Sequence, residues 1–321
     1  MNEFSLIDAY FKPIEHVRKD VVLGIGDDAA CLQIPHGMQL LVSTDTLVAD
    51  VHFHSTWDPF DIAYKAVMVN VSDIAAMGGT PCWITLALTL PELDKKWLHR
   101  FSQGLQYSLA QYNIALVGGD TTRGPLSMTV TVHGLVDSGK AIRRSGAQPG
   151  DKIFVTGELG GAALAVAMYG EEGVNKADQS LLEEKLIHPL PRVDFTAHLQ
   201  KFATAAIDIS DGLSADLNHI CEASRVGACL NLDKIPIHPV VKKNQGSRAI
   251  DFALNGGDDY ELCFTIAPVQ EESLLKALSE ADLSCYLIGT IKSELGLQGV
   301  TENGGSIALQ PQGYNHFKNE E

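Results

Sequence analysis

Aspartates recur beside glycines and strand-like runs along this chain, and their placement suggests chemistry with a hard cation and phosphate. Asp27 and Asp28 follow Gly24-Ile-Gly26. Asp45 ends the run Leu40–Ser43, and Asp120 follows Gly118-Gly119. Asp208 and Asp211 fall in Ile-Asp-Ile-Ser-Asp-Gly, and Asp258 and Asp259 follow Gly256-Gly257. Each alone reads as a turn or cap residue. Asp73 is harder to dismiss, because it lies on a helical run otherwise made of Ala, Val, Met and Asn. A carboxylate buried there needs something to compensate its charge. Several carboxylates at strand ends beside flexible glycines make an oxygen-rich site. That suits Mg²⁺, which binds carboxylates and keeps waters or substrate phosphates as remaining ligands. Zinc fits poorly, since few His or Cys residues lie near these acids. Phosphate is the natural partner: the metal bridges anionic ligand to anionic protein, and glycines let backbone amides approach phosphate oxygens.

Three other motifs carry weaker readings. Gly134-Leu-Val-Asp-Ser-Gly139-Lys140 matches most of a P-loop, but Ala141 stands where Ser or Thr binds magnesium. Gly24-Ile-Gly26-Asp-Asp-Ala29 resembles a dinucleotide loop, yet acids at its centre repel a pyrophosphate unless metal intervenes. His52 and His54 lie two apart on an expected strand and could bind metal from one face. Hydrogen bonding is the plainer role, and a substrate contact for His52 is preferred over metal.

The elements that must hold these residues are strands and helices mixed in both halves. Residues 3–11 read as a short helix and Val21–Leu23 as a strand before the acidic turn. Leu40–Ser43 and Val51–Phe53 read as strands. Apolar residues at helical spacing predict a helix over Asp61–Met77, ended by Gly78-Gly79. Trp83–Leu90, Ala115–Val117 and Met128–Val136 read as strands, with an amphipathic helix over 94–112. In the second half, Lys152–Thr156, Ala205–Ile209, Ala228–Leu232 and Glu261–Ile266 read as strands, with a small-residue helix reaching Met168. A polar stretch ending in Pro149-Gly150 marks the boundary. The expectation is an α+β (α/β two-domain) protein: residues 1–138, a linker at 139–150, and residues 151–321.

The chain has 321 residues, enough for two domains at roughly 100–200 residues each. Hydrophobic residues make up 45% and the formal net charge is −16. That balance argues against a general affinity for nucleic acid, which rests on Lys and Arg. The six cysteines form no C-x-x-C pair and read as free thiols. No signal-peptide core opens the sequence and no apolar stretch approaches the roughly 18 residues of a membrane span. The expectation is a cytoplasmic protein with no membrane partner.

Gly24-Ile-Gly-Asp-Asp-Ala-Ala30, Ser43-Thr-Asp-Thr46 with Val51-His-Phe53, and Lys65–Pro81 closely resemble the thiamine-monophosphate kinase family. So do Gly118–Gly124, Arg144-Ser-Gly with Pro149-Gly-Asp151, Ile207–Leu213, Gly256–Phe264 and Gly313-Tyr-Asn-His-Phe317, in family order along nearly the whole chain. The wider superfamily contains aminoimidazole-ribonucleotide synthetase, selenophosphate synthetase and a hydrogenase-maturation protein, which use ATP without a P-loop. The resemblance implies an N-terminal domain whose strands pair across a homodimer into a β-barrel, a C-terminal α/β domain, and ATP in a cleft between them. Carried over by position, it implies magnesium ligands at Asp27, Ser43, Thr44, Asp45, Asp73, Asp120, Asp208 and Asp211. Nucleotide contacts fall at Gly119, Asp120, Arg144 and Ser210, and thiamine contacts at His52, Asp258 and Tyr314. The family commonly has Glu where this chain has Asp258 and often Trp where it has Tyr314. Both replacements keep an acid and an aromatic face for a cationic ring.

The implied reaction is ATP plus thiamine monophosphate giving ADP plus thiamine diphosphate, by direct in-line transfer. The acceptor phosphate is already ionised, so positioning and charge stabilisation suffice. Asp45, Asp73, Asp120 and Arg144 are the expected catalytic set. Two alternatives stand beside it: a synthetase of the same fold with another acceptor, and a non-catalytic nucleotide-binding regulator. Against the first, no Cys precedes Cys31 in an N-terminal segment of the selenophosphate-synthetase kind.

Overall fold

The computed structural model describes residues 3–14, 18–169 and 175–314. It divides into two compact units, Met1–Ala75 with Gly79–Ala141, and Ala76–Gly78 with Ile142–Glu321.

The first unit begins with α1 (Glu3–Leu6), continued by a π-helical turn, Ile7–Phe11, and by the ribbon β1 (Val21–Leu23) and β2 (Cys31–Leu32). Then follow β3 (Met38–Val48), α2 (Pro59–Ala76), β4 (Thr80–Leu90), α3 (Lys95–Gln111), β5 (Ala115–Arg123) and β6 (Ser127–Asp137). Four strands form one open sheet in the order β3-β6-β4-β5, antiparallel except for β4 and β5. That parallel pair needs a crossover, which α3 supplies. Asp94 caps α3 by accepting from the Lys96 and Trp97 amides. The first residue of α2 is Pro59, whose missing N–H costs nothing in a first turn. Ile62, Ala63, Val67, Met68, Val71 and Ile74 are all buried, so α2 is apolar nearly all round. It stops at Gly78, whose φ of 71° is the left-handed cap position.

Three segments around the expected site residues differ from the sequence expectation. Asp45 lies in mid-strand, because β3 continues to Val48. Thr44 and Thr46 carry it on by bonding the hydroxyls of Thr131 and Thr129 at 3.0 and 2.8 Å. Likewise β5 runs through Gly118-Gly119-Asp120 to Arg123, pairing residue by residue with β4. Gly119 makes this possible, since a Cβ there would collide with the Leu86 carbonyl oxygen. Val51–Phe53 is a turn and not a strand. Asp50 stands at φ 60° and its amide donates to the Phe53 carbonyl at 2.7 Å, which folds the chain back on itself. Gly134 falls inside β6 with no helix after Lys140, so the P-loop reading fails on topology.

The second unit comprises β7 (Lys152–Val155), α4 (Gly161–Ala167), α5 (Lys176–Ile187), α6 (Thr196–Phe202), β8 (Ala203–Asp208), α7 (Leu213–Ser224) and β9 (Gly227–Asn231). It continues with α8 (Pro239–Gln245), α9 (Ala249–Asn255), β10 (Leu262–Ile266), α10 (Glu271–Glu280), β11 (Tyr286–Lys292), β12 (Gly296–Val300) and β13 (Ser306–Leu309). The sheet has seven strands in the order β13-β12-β9-β11-β7-β10-β8. Alternation along β7 sends Ile153 and Val155 into a core with Leu213, Leu217 and Ile220 of α7. Phe154 goes to the opposite core, with Phe195, Leu199, Leu274 and Leu278. Helices therefore cover both faces, and each half is mixed α/β. Among the described residues neither sheet closes into a barrel.

Candidate active site

In the first unit, α2 lies against the face of β3 that carries Ser43 and Asp45. Residues two apart on a strand share a face, and Asn70 and Asp73, three apart, share a face of the helix. The Ser43 hydroxyl donates to Asp73 Oδ2 at 2.6 Å. The Asp45 amide donates to Asn70 Oδ1 at 3.1 Å, and Asn70 Nδ2 donates back to the Ala66 carbonyl at 2.9 Å. Asp45 keeps a solvent-facing edge, yet the protein packed round its carboxyl and the charge of Asp73 push it up to about 6. Burial is the larger cause, and the neighbouring Asp73 charge adds to it. Ser43, Asp45 and Asp73 are thus brought together, whereas the Thr44 hydroxyl lies on the opposite face, bonded to Thr131.

Asp27 and Asp120 meet round a cavity of about 710 Å³, with Asp28, Gly118, Gly119 and Thr121 in its wall. Its size suits a small organic ligand. His52 sits in the turn after β3, where its Nδ1 accepts the Val48 amide at 3.0 Å. His54 Nδ1 bonds the Thr56 hydroxyl at 2.8 Å. Both are engaged locally by the turn, which removes the strand geometry behind the metal reading. Among the described residues no three His, Cys, Asp or Glu side chains gather into a metal cage.

In the second unit, Asp208 ends β8 and is buried, while Ser210 and Asp211 form the turn leading to α7. Three consecutive carbonyls of that turn hold other segments. Ile209 accepts from the Tyr260 amide at 2.9 Å, Ser210 from Asp258 at 2.8 Å, and Asp211 from Tyr314 at 3.3 Å. Gly257 permits the approach, since a Cβ there would meet the Ser210 carbonyl. The segment carrying Tyr314 is fastened by Ser214, whose hydroxyl accepts the Gln312 amide at 3.1 Å. Residues 315–317 of the expected Gly313–Phe317 motif lie outside the described residues. Asp216 accepts the Asp211 and Gly212 amides at 3.1 and 3.0 Å, and burial pushes its carboxyl up to about 7. Arg144 is exposed. Its segment is tied to α7 through Ser224, which donates to the Arg144 carbonyl at 3.2 Å and accepts the Gly146 amide at 3.1 Å.

Sequence reasoning passed over Asn70, Tyr260 and the buried acid Glu261. Glu261 is gripped by two Arg192 nitrogens, Nε and Nη2, and by the Thr156 hydroxyl at 2.7 Å. For Asn70 a signal existed: an amide in an apolar helical run, one turn before Asp73. Tyr260 and Glu261 carried none, because their partners are remote in sequence or defined only by backbone shape.

Residues 26–136 match the family of AIR synthase related proteins by its N-terminal domain, and residues 148–300 by its C-terminal domain. The chain is 44% identical over 318 residues to the thiamine-monophosphate kinase of Salmonella typhimurium, with 98% of each sequence covered. Its fold is similar to that of the thiamine-monophosphate kinase from Stenotrophomonas maltophilia K279a, at 45% identity and a TM-score of 0.85, covering 93% of this chain and 96% of that one. It is also similar to AaThiL complexed with AMPPCP and TMP, at 32% identity and a TM-score of 0.78, covering 98% and 97%. The chain belongs to the thiamine-monophosphate kinase family, within the AIR synthase related proteins.

Proposed function

We propose that this chain transfers the γ-phosphoryl group of ATP to the phosphate of thiamine monophosphate, releasing ADP and thiamine diphosphate. The observation that carries the chemistry is the Asp45–Asp73 pair, in which burial first and the Asp73 charge second raise the Asp45 carboxyl, and whose geometry is set by Ser43 and Asn70. The choice of acceptor is supported by the full-length relationship to thiamine-monophosphate kinases.

The donor set fits magnesium. Ser43, Asp45 and Asp73 offer only oxygen, and a bound cation relieves the repulsion that Asp45 registers. Asp27, Asp120, Asp208 and Asp211 complete the proposed side-chain ligands, and Thr44, whose hydroxyl is turned to Thr131, joins them only through its backbone carbonyl. When bound, magnesium supplies charge neutralisation for the two polyphosphates. The protein's own part is positioning. Asn70 holds the Asp45 backbone and Ser43 orients Asp73. Gly119, Asp120, Arg144 and Ser210 receive the nucleotide, and His52, Asp258 and Tyr314 the thiamine end. A substrate phosphate oxygen attacks the γ-phosphorus as the bond to the β–γ bridging oxygen breaks, and no side chain needs to remove a proton.

The proposed working form is a cytoplasmic homodimer whose N-terminal domains, residues 1–138, pair their sheets into a barrel. A linker at 139–150 joins each to its C-terminal domain, 151–321. Supporting the pairing, β3 is an edge strand with Leu40 and Val42 exposed at 41% and 56%. No described helix is long and apolar enough to cross a membrane. The reaction is tested by coupled ADP release with ATP and thiamine monophosphate across a magnesium titration. ADP formation that needs both metal and the monophosphate is expected. ADP formed equally with free thiamine, or without acceptor, contradicts the assignment.

A further inference from the structure

The turn Gly256–Tyr260 carries two non-glycine residues in the left-handed region, Asp258 at φ 67° and Tyr260 at φ 49°. Left-handed backbone is unfavourable for L-residues, most of all bulky ones, and persists only where the surroundings over-determine it. Here they do. The Asp258 amide donates to Ser210 and the Tyr260 amide to Ile209, at 2.8 and 2.9 Å. Asp259, between them, turns away to accept the Gly160 amide at 2.8 Å. The alternation leaves Asp258 and Tyr260 side by side, and the tyrosine hydroxyl donates to Asp258 Oδ1 at 3.0 Å.

Two kinds of constraint therefore converge on one carboxylate. Its backbone is fixed to the Ile209–Asp211 turn, and its side-chain torsions are fixed by a phenol. A hydrogen bond to a charged acceptor is among the stronger ones and gives direction as well as energy. Pre-organising a recognition group in this way removes the ordering cost that a ligand would otherwise meet on binding.

We propose that Tyr260 is a positioning residue of the acceptor site: its hydroxyl holds the Asp258 carboxylate in the orientation that meets the cationic, amino-bearing ring system of the substrate. This rests on the assignment of Asp258 to the substrate made above. Tyr260 acts through Asp258 and does not itself touch the phosphates, so its effect falls on acceptor binding and spares phosphoryl transfer.

The test is steady-state kinetics of full-length Y260F, D258N and the double variant, varying thiamine monophosphate and ATP in turn, alongside melting temperatures. Phenylalanine keeps the ring and the same backbone, so any loss belongs to the hydroxyl. Y260F is expected to raise KM for thiamine monophosphate about ten- to hundred-fold, the scale of one hydrogen bond to a charged group. It should leave kcat and KM for ATP within about twofold. D258N should raise the same KM at least as far, and the double variant should be no worse than D258N alone. Y260N, whose side chain tolerates left-handed backbone, should give the same rise and guards against misfolding of the phenylalanine variant. An unchanged KM in Y260F and Y260N, with D258N impaired, overturns the positioning role and leaves the substrate assignment standing. An unchanged KM in D258N removes that assignment and the proposal with it. Equal rises for ATP, or additive losses in the double variant, make Tyr260 merely structural and also overturn it.

Discussion

Ser43 and Asp73, 30 residues apart in the chain, meet through a 2.6 Å hydrogen bond from the serine hydroxyl to Asp73 Oδ2. The bond joins the middle of a strand to an apolar helix, and it aims the one carboxylate of that helix face at the sheet position next to Asp45. The charge of Asp73 is felt there, since it helps lift the Asp45 carboxyl to about 6.

Asp73→Asn should therefore lower kcat/KM by about 100-fold or more, the scale of losing preorganised charge at a transfer site. Melting temperature should stay the same or rise, because Asn keeps an acceptor for Ser43 and ends the repulsion with Asp45. Turnover within a few-fold of the parent would remove Asp73 from the machinery.

Asn70 has no exposed surface; its Oδ1 accepts the Asp45 amide and ties helix to strand, while its Nδ2 is held by the Ala66 carbonyl within α2. Asn70→Ala leaves the Asp45 amide without this acceptor and should cost about 1–3 kcal/mol in denaturant unfolding. It should also raise the magnesium concentration needed for half-maximal rate, which Asp73→Asn does far more severely. A variant with lowered stability and an unchanged magnesium requirement would leave Asn70 a purely structural tie.

Asp20 offers a pH test away from the site. Arg18 reaches both its oxygens, at 2.9 and 2.7 Å, and Trp83 Nε1 donates to Oδ1 at 3.2 Å. The Arg18 hydrogen bonds hold the Asp20 carboxyl below its ordinary value of 3.8. A carboxyl depressed in the folded state adds stability that is present above its unfolded value and is lost as pH falls through the folded one. Asp20→Asn should thus melt lower than the parent at pH 7, with the gap closing below about pH 4. A gap that stays constant from pH 7 down to pH 3 would show that packing alone, and not ionisation, sets the difference.

Much of this arrangement was legible before any coordinates. A carboxylate inside an apolar helical run announces a partner, and that reading singled out Asp73. The Gly-Gly-Asp and Ile-Ser-Asp-Gly patterns likewise marked Asp120 and Asp211. The misread boundaries have one cause: local turn chemistry was allowed to end strands that distant pairing prolongs. β3 passes through Asp45 because Thr44 and Thr46 are met by Thr131 and Thr129, 87 and 83 residues away. At Val51–Phe53 the error ran the other way, since apolar alternation hid the left-handed Asp50 that makes a turn. The carbonyl series at Ile209, Ser210 and Asp211 was invisible for the same reason. Its donors, Tyr260, Asp258 and Tyr314, are linked to it only by the folded backbone.

The most direct measurement is to follow the label from γ-³²P-ATP with magnesium and thiamine monophosphate, separating products by chromatography at early times. Label appearing in thiamine diphosphate, at the rate ADP is formed and with none passing through free phosphate, is the predicted result. Label found in free phosphate or on the protein, with no labelled thiamine diphosphate, would contradict direct transfer to this acceptor.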